Sequence, residues 1–285
     1  MMVSSLTARA GAGEPPSEEA TNWPGEENTL ATTFRFLAPE DLGKVGKTCR
    51  QWHRISRTEA IWEAFDLNTL STNLLIKDKK WWETHFEPTV LETAGLVIDE
   101  SLFPVKRVQI MTVIQLLKSL KVEKPGDVPL PGGQLTLLTL PEGLTLRKVT
   151  ALPGARFAHM WPAILEEQGD IPLPTTTLVA ITNHILSGSR NLMSFQQKQL
   201  LQEQGCEMPS VLAVATLAIL TQKDSGIMLY PGLTSTRCKE RIEAGCPDHL
   251  TEISAGRFNL VGFHIDSTSC GWHVGVAALK QLHGH

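Results

Sequence analysis

One apolar run restricts the fold more than any other feature. Val211–Leu220 is broken only by Thr216, and it lies in a helix predicted from Pro209 to about Gln222. That helix is apolar nearly all round. An amphipathic helix rests one face on a core, whereas a helix without a polar face has to be enclosed on every side. A run of ten residues falls far short of the roughly 20 needed to cross a bilayer core. The enclosure is therefore expected to be protein, with no membrane span.

The chain is long enough to supply it. Its 285 residues are 42% apolar and 20% charged, ordinary values for one or two globular domains. A formal charge of −4 argues against a protein built around nucleic acid, which usually presents a basic surface. The five cysteines are Cys49, Cys206, Cys238, Cys246 and Cys270. An odd count in a chain of this length does not describe a disulfide-stapled secreted module, so reduced thiols in a cytosol are expected. The first residues, Met1 to Glu19, contain no continuous apolar segment of the secretory kind.

Composition shifts divide the chain. Residues 11–34 carry Glu14, Glu18, Glu19, Glu26 and Glu27 with no Lys or Arg, and Gly, Pro and Ser fill much of the space between. Too little apolar surface is available there to offset chain entropy, so residues 1–28 are predicted to be a disordered acidic tail. From Leu30 the pattern turns helical. Leu30, Phe34 and Leu37 share one helix face, and Pro39, Glu40 and Asp41 suit the first turn of the next helix. Leu42, Val45, Cys49, Trp52 and Ile55 continue as an apolar stripe, and Ile61, Trp62 and Phe65 form a third short face. So small a unit buries too little surface to close its own core, and another surface must cover it.

Residues 68–133 are expected to be a helical linker region, with apolar clusters at Trp81, Trp82 and Phe86 and from Val108 to Leu120. The breakers from Pro125 to Gly133 mark a domain boundary. Beyond it, Gln134–Leu140 and Leu144–Thr150 are predicted to pair as a hairpin across Pro141-Glu142-Gly143. Ile171–Leu186 gives a mixed signal. A helix begins near Phe195, with Ser194 and Gln197 spaced as a capping box and Gly205 placed for a left-handed C-terminal cap. Ser235 is expected to cap a further helix over Thr236–Ala244. Phe258–Ile265 and Trp272–Ala277 are expected as strands joined by a turn at Asp266–Gly271. The predicted class is α+β, with a mixed helix and antiparallel-strand domain over residues 134–285.

Residues 30–62 resemble an F-box. Leu37-Ala38-Pro39-Glu40-Asp41-Leu42, then Val45, Cys49-Arg50-Gln51-Trp52, Ile55 and Trp62 follow that family's order and gaps, with Phe34 in register. The resemblance implies a three-helix module over residues 29–67 that docks on a Skp-family adaptor in a cullin-based ubiquitin ligase, while the rest of the chain recruits a target protein. It implies adaptor contacts at Leu30, Phe34, Leu37, Pro39, Asp41, Leu42 and Val45, and a module core of Cys49, Trp52, Ile55 and Trp62. The family often begins with Leu-Pro ahead of the first helix. Here Gly25 and Glu26 stand in that register, with Trp23-Pro24 two residues upstream.

The C-terminal half is similar to F-box-like proteins of obligate intracellular bacteria that grow in amoebae. The blocks that carry this resemblance include Leu137–Leu146, Gly169-Asp170, Ser189–Leu192, Glu207-Met208-Pro209, Leu229-Tyr230, Thr236-Arg237-Cys238 and Gly262-Phe263. It implies a bacterial effector acting on host ubiquitination, reaching a host cytosol by a route the sequence does not reveal. The expected function is thus a non-enzymatic adaptor without a cofactor.

Two other chemistries compete with it. Cys246-Pro-Asp-His249 and Cys270-Gly-Trp-His273 are Cys-x2-His pairs, the spacing at which neighbours can share a zinc ion. With no Cys-x2-Cys beside them, a zinc-stabilised binding protein is the lesser expectation. A cysteine-dependent hydrolase of the ubiquitin pathway would need Cys206, Cys238 or Cys270 activated by His249, His264 or His273. No family signature surrounds any of these, and Cys49 lies in the apolar stripe as a structural residue. Lys44, Lys47, Arg50, Arg54 and Arg57 make the second helix of the module basic on its outer face, by default a solvated surface.

Overall fold

Two sheets enclose the apolar helix. The computed structural model describes residues 37, 72–77, 79–85, 96–97, 107–122, 134–152, 157–226, 229–230, 234–243, 251–259, 262–268 and 273–282. Its strands are β1 (Thr72–Leu75), β2 (Leu135–Leu140), β3 (Phe157–Met160), β4 (Thr177–Thr182), β5 (Thr234–Ile242), β6 (Thr251–Asn259), β7 (Gly262–Thr268), β8 (Val274–Gly275) and β9 (Leu279–Gln281). Its helices are α1 (Lys79–His85), α2 (Arg107–Ser119), α3 (Leu146–Thr150), α4 (Pro162–Gln168), α5 (Ser194–Glu203) and α6 (Val211–Ser225). One sheet has the order β1-β2-β4-β9, the other β3-β7-β6-β5-β8. The fold is α+β, as expected.

Helix α6 runs between the sheets. It contacts β1 and β2 on one side and β5 and β6 on the other. Leu138, Leu140, Val179 and Ile181 of the first sheet share a buried cluster with Val214, Leu217 and Leu220 of α6 and with Ile253, Ala255, Phe263 and Ile265 of the second. Ten residues of α6, Val211 and Ala213–Thr221, are buried. Ser210 caps it by accepting from the Ala213 N–H at 3.0 Å, and Gly226 ends it in the left-handed conformation. The all-round apolar run has the enclosure its composition demands.

The four-stranded sheet is covered on its far face as well. Leu135, Leu137, Leu178 and Ala180 point away from α6 into a second cluster with Ile110, Val113 and Leu116 of α2 and Leu201 of α5. Residues i and i+2 of a strand share a face. A strand that reads Leu-Thr-Leu-Leu-Thr-Leu therefore supplies leucines to both layers, and all six of its residues are buried.

Several expectations need correction. The stretch 68–133 is not helical throughout, because β1 pairs in parallel with β2 across the predicted boundary, from Thr72 opposite Leu135 to Leu75 opposite Leu138. The hairpin partner Leu144–Thr150 is instead the short helix α3. Thr145 accepts from the Lys148 N–H at 3.2 Å, which closes a helical turn and sends Leu146 and Val149 into the core. Strand β2 pairs with β4, in the region of mixed signal. The helix expected over Thr236–Ala244 is strand β5, held between β6 and β8. Ser235 carries a local capping preference, but neighbours on both sides impose the extended state. The expected strand Phe258–Ile265 is two strands, with β6 ending at Asn259 and β7 starting at Gly262 opposite it. No turn occupies residues 266–268, which continue β7.

Helix α5 starts at Ser194 itself, so its cap, Met193, lies one residue before the predicted one. The Met193 N–H donates to Gln196 Oε1 at 2.9 Å, while Gln197 turns inward and is fully buried. Gly205 does adopt the left-handed cap, with φ +64°. The tail at residues 1–28 lies outside the described residues.

Candidate functional site

The adaptor-facing residues Leu30, Phe34, Pro39, Asp41, Leu42 and Val45, and the module core of Cys49, Trp52, Ile55 and Trp62, lie outside the described residues. Leu37 is described. It is half-buried and packs against the second apolar cluster, the one that contains α2. Of the zinc candidates, Cys246, His249 and Cys270 also lie outside. The backbone carbonyl of His273 accepts from the Ser235 N–H at 3.0 Å. Among the described residues, no group of three or more His, Cys, Asp or Glu side chains is arranged to hold a metal ion.

The two described cysteines do not suit nucleophilic chemistry. Cys238 is buried in the cluster around α6, and burial, reinforced by the charge of Glu240, pushes its thiol well above the ordinary range. Burial also raises the Cys206 thiol, against the opposing pull of Lys280. A nucleophilic cysteine needs the opposite shift, toward the thiolate. Geometry also separates one of the three expected bases, His264, from Cys238. Phe263 and Ile265 of β7 join the cluster that holds Cys238, so His264 between them projects from the other face.

That other face of the five-stranded sheet is polar. Arg237, 1% exposed, forms an ion pair with Glu252, and its Nε donates to Gln197 Oε1 at 2.8 Å. Gln197 Nε2 donates in turn to the Ser189 carbonyl at 2.8 Å, and Ser189 Oγ accepts from the Val276 N–H at 3.0 Å. These internal partners fasten α5 to the sheet. The segment Ser189–Asn191 belongs to this fastening, with Arg190 donating to Thr234 Oγ1 at 3.0 Å and Asn191 at φ +57°. Nothing in the residue spacing announced the network, because Gln197 and Arg237 are 40 positions apart. Further along the sheet, His159 Nε2 lies 3.8 Å from Asp266 Oδ2, and its ring centroid is 6.0 Å from that of His264. Burial, then the neighbouring His159, lowers the His264 pKa.

A cavity of about 200 Å³ opens where α6 begins. Its walls include Leu146 of α3, Leu212 of α6, the segment Ile171–Pro174, and Lys239 and Glu240 of β5. The Leu173 N–H and carbonyl bond the Leu144 carbonyl and the Gly143 N–H at 2.9 and 2.8 Å, which fixes the Ile171–Pro174 wall. Asp170, just before that wall, receives Arg147 in a two-pronged pair at 2.8 and 2.9 Å that lowers the Asp170 pKa. Glu240 Oε2 accepts from the Val211 N–H at 2.8 Å and so occupies the start of α6. Burial raises the Glu240 pKa against the pull of that bond and of Lys239. No sequence signal singled out Glu240, because the fold alone brings it to Val211.

Residues 30–68 match the family model described as F-box-like. Neither a curated protein nor a solved structure matches the chain. No helix among the described residues is long and apolar enough to cross a membrane.

Proposed function

We propose that the chain is an F-box-like adaptor: residues 29–67 dock on a Skp-family component of a ubiquitin ligase, and the α+β body presents a target protein. The observation that carries this reading is the match of residues 30–68 to the F-box-like model, a binding module. The punctuation of Leu37-Ala38-Pro39-Glu40-Asp41-Leu42 and Cys49-Arg50-Gln51-Trp52, within those same residues, agrees with it. A stable docking of this kind buries about 1,200–2,000 Å² in total, and Leu30, Phe34, Leu37, Pro39, Leu42 and Val45 are the apolar groups assigned to it. That the ligase belongs to a host cell is a further part of the proposal, drawn from the sequence resemblance of blocks within residues 134–277 to F-box-like proteins of amoeba-dwelling bacteria. Scaffolding of this kind uses no catalytic residue and no cofactor.

Capture of a purified eukaryotic Skp-family adaptor by the full chain, beside its Leu42→Asp variant, tests the reading. Capture by the wild type and at least tenfold weaker capture by the variant are expected. A wild type that captures nothing, or a variant that captures equally well, would overturn the assignment.

A further inference from the structure

The cavity at the start of α6 combines three properties. Its volume of about 200 Å³ falls below the roughly 300–1,000 Å³ of ordinary small-molecule pockets, and suits one or two side chains. Its rim carries apolar surface that a partner could cover: Ile171 is 55% exposed, and Pro172 and Pro174 beside it are exposed too. Its polar end is a carboxylate. Glu240 has one oxygen engaged by the Val211 N–H and makes no ion pair among the described residues; Lys239, on the same wall, is exposed and acts on it through its charge without pairing.

Charge decides what fits. The start of a helix ordinarily attracts an anion, but Glu240 already fills that place, so a second anion would meet repulsion. A cation would meet a half-buried carboxylate that, among the described residues, is in no ion pair and feels Lys239 only through its charge. An arginine fork is satisfied by both oxygens of a carboxylate, whereas an ammonium acts as a point charge and needs one. The apolar walls suit the methylene stem of such a side chain.

We propose that this cavity takes a lysine side chain from an extended segment of a partner protein, with the ammonium on Glu240 and the flanking apolar residues on Ile171 and Pro172. As the seat of the target, the site rests on the adaptor reading; as a binding site, it is measured separately. Isothermal titration of the full chain with acetyl-Gly-Leu-Lys-Leu-Gly-amide, and with the same peptide carrying norleucine or arginine in place of lysine, tests it. The lysine peptide is expected to bind about tenfold tighter than the norleucine peptide, the ratio of one charge-assisted bond, with arginine between them. Glu240→Gln keeps an acceptor for the Val211 N–H and should erase that ratio. Ile171→Ala, at an exposed rim position, should weaken all three peptides alike. Equal binding of lysine and norleucine peptides, a lysine preference that survives Glu240→Gln, or no binding at millimolar peptide would overturn the proposal. Lost peptide selectivity with intact adaptor capture removes this site alone, and the converse removes the adaptor reading alone.

Discussion

The ion pair between Arg237 and Glu252 should respond unequally to loss of its two members. Arg237 is 1% exposed and Glu252 19%, and Glu252 has a second cation, Arg241 Nη2, at 3.0 Å. Removing the carboxylate in Glu252→Ala takes the Glu252 counter-charge away from a guanidinium held inside the protein. Breaking a buried pair in that way costs about 3–5 kcal/mol. Removing the cation in Arg237→Met leaves a carboxylate that still reaches solvent and Arg241, and forfeits the bond to Gln197, for about 1–2 kcal/mol. At about 2–4 °C per kcal/mol for a body of this size, Glu252→Ala should melt roughly 10 °C below wild type and Arg237→Met only a few degrees below. The double variant removes the guanidinium as well, so it should be more stable than Glu252→Ala alone. Thermal melts and urea midpoints of the three variants give the answer. A double variant at or below the sum of the singles, or Arg237→Met as the worse single, would refute the reasoning.

Leu217→Ala, at a fully buried position of α6, should cost about 2–5 kcal/mol in urea unfolding, because sheets on both sides leave little room to collapse around the void. Gly256→Ala should be at least as damaging: an added Cβ would sit 2.4 Å from the Ser235 Cα and the Thr234 carbonyl oxygen, forcing β5 from β6, and loss of the cooperative melt would register it. His184, 7% exposed, has its pKa lowered from 6.5 to about 4 by burial. The unfolded chain gains that proton near pH 6.5 and the folded protein only near pH 4, so stability should fall as pH falls through this window, by about 3 kcal/mol at most. His184→Gln should remove that part of the slope, and an unchanged slope would count against the burial. Native-state alkylation mapped by peptide mass should leave Cys206 and Cys238 unmodified at pH 7.5 until the protein is denatured; rapid native labelling of either would contradict their raised thiol pKa values.

Local chemistry was legible in the sequence and distant pairing was not. Enclosure of α6 followed from its composition, since an all-round apolar helix has few other solutions. The left-handed cap at Gly205 followed from a backbone conformation that glycine favours. Strand β5 did not, because Ser235 and its neighbours make sense as a helix start until β6 and β8 are in place. Likewise β1 lies in a stretch of helical pattern, and only its partner, 63 positions on in the register Thr72 to Leu135, makes it a strand. The cavity was invisible for the same reason, since Val211 and Glu240 come from separate elements that meet only in the folded protein.

The placement of α6 has a consequence for synthesis. The helix is complete at Ser225, while one of its two covering sheets has only its edge strand β3 by then and gains the other four strands from β5 onward, and the other receives its edge strand β9 only at Leu279–Gln281. A ribosome adding 5–20 residues per second therefore leaves this apolar cylinder half-covered for about 3–10 s. During that interval this apolar segment is within reach of ribosome-associated chaperones and of other nascent chains. Slow codons between Ser225 and Leu279 would lengthen the exposure, so the yield of folded protein should depend on translation speed in that one interval.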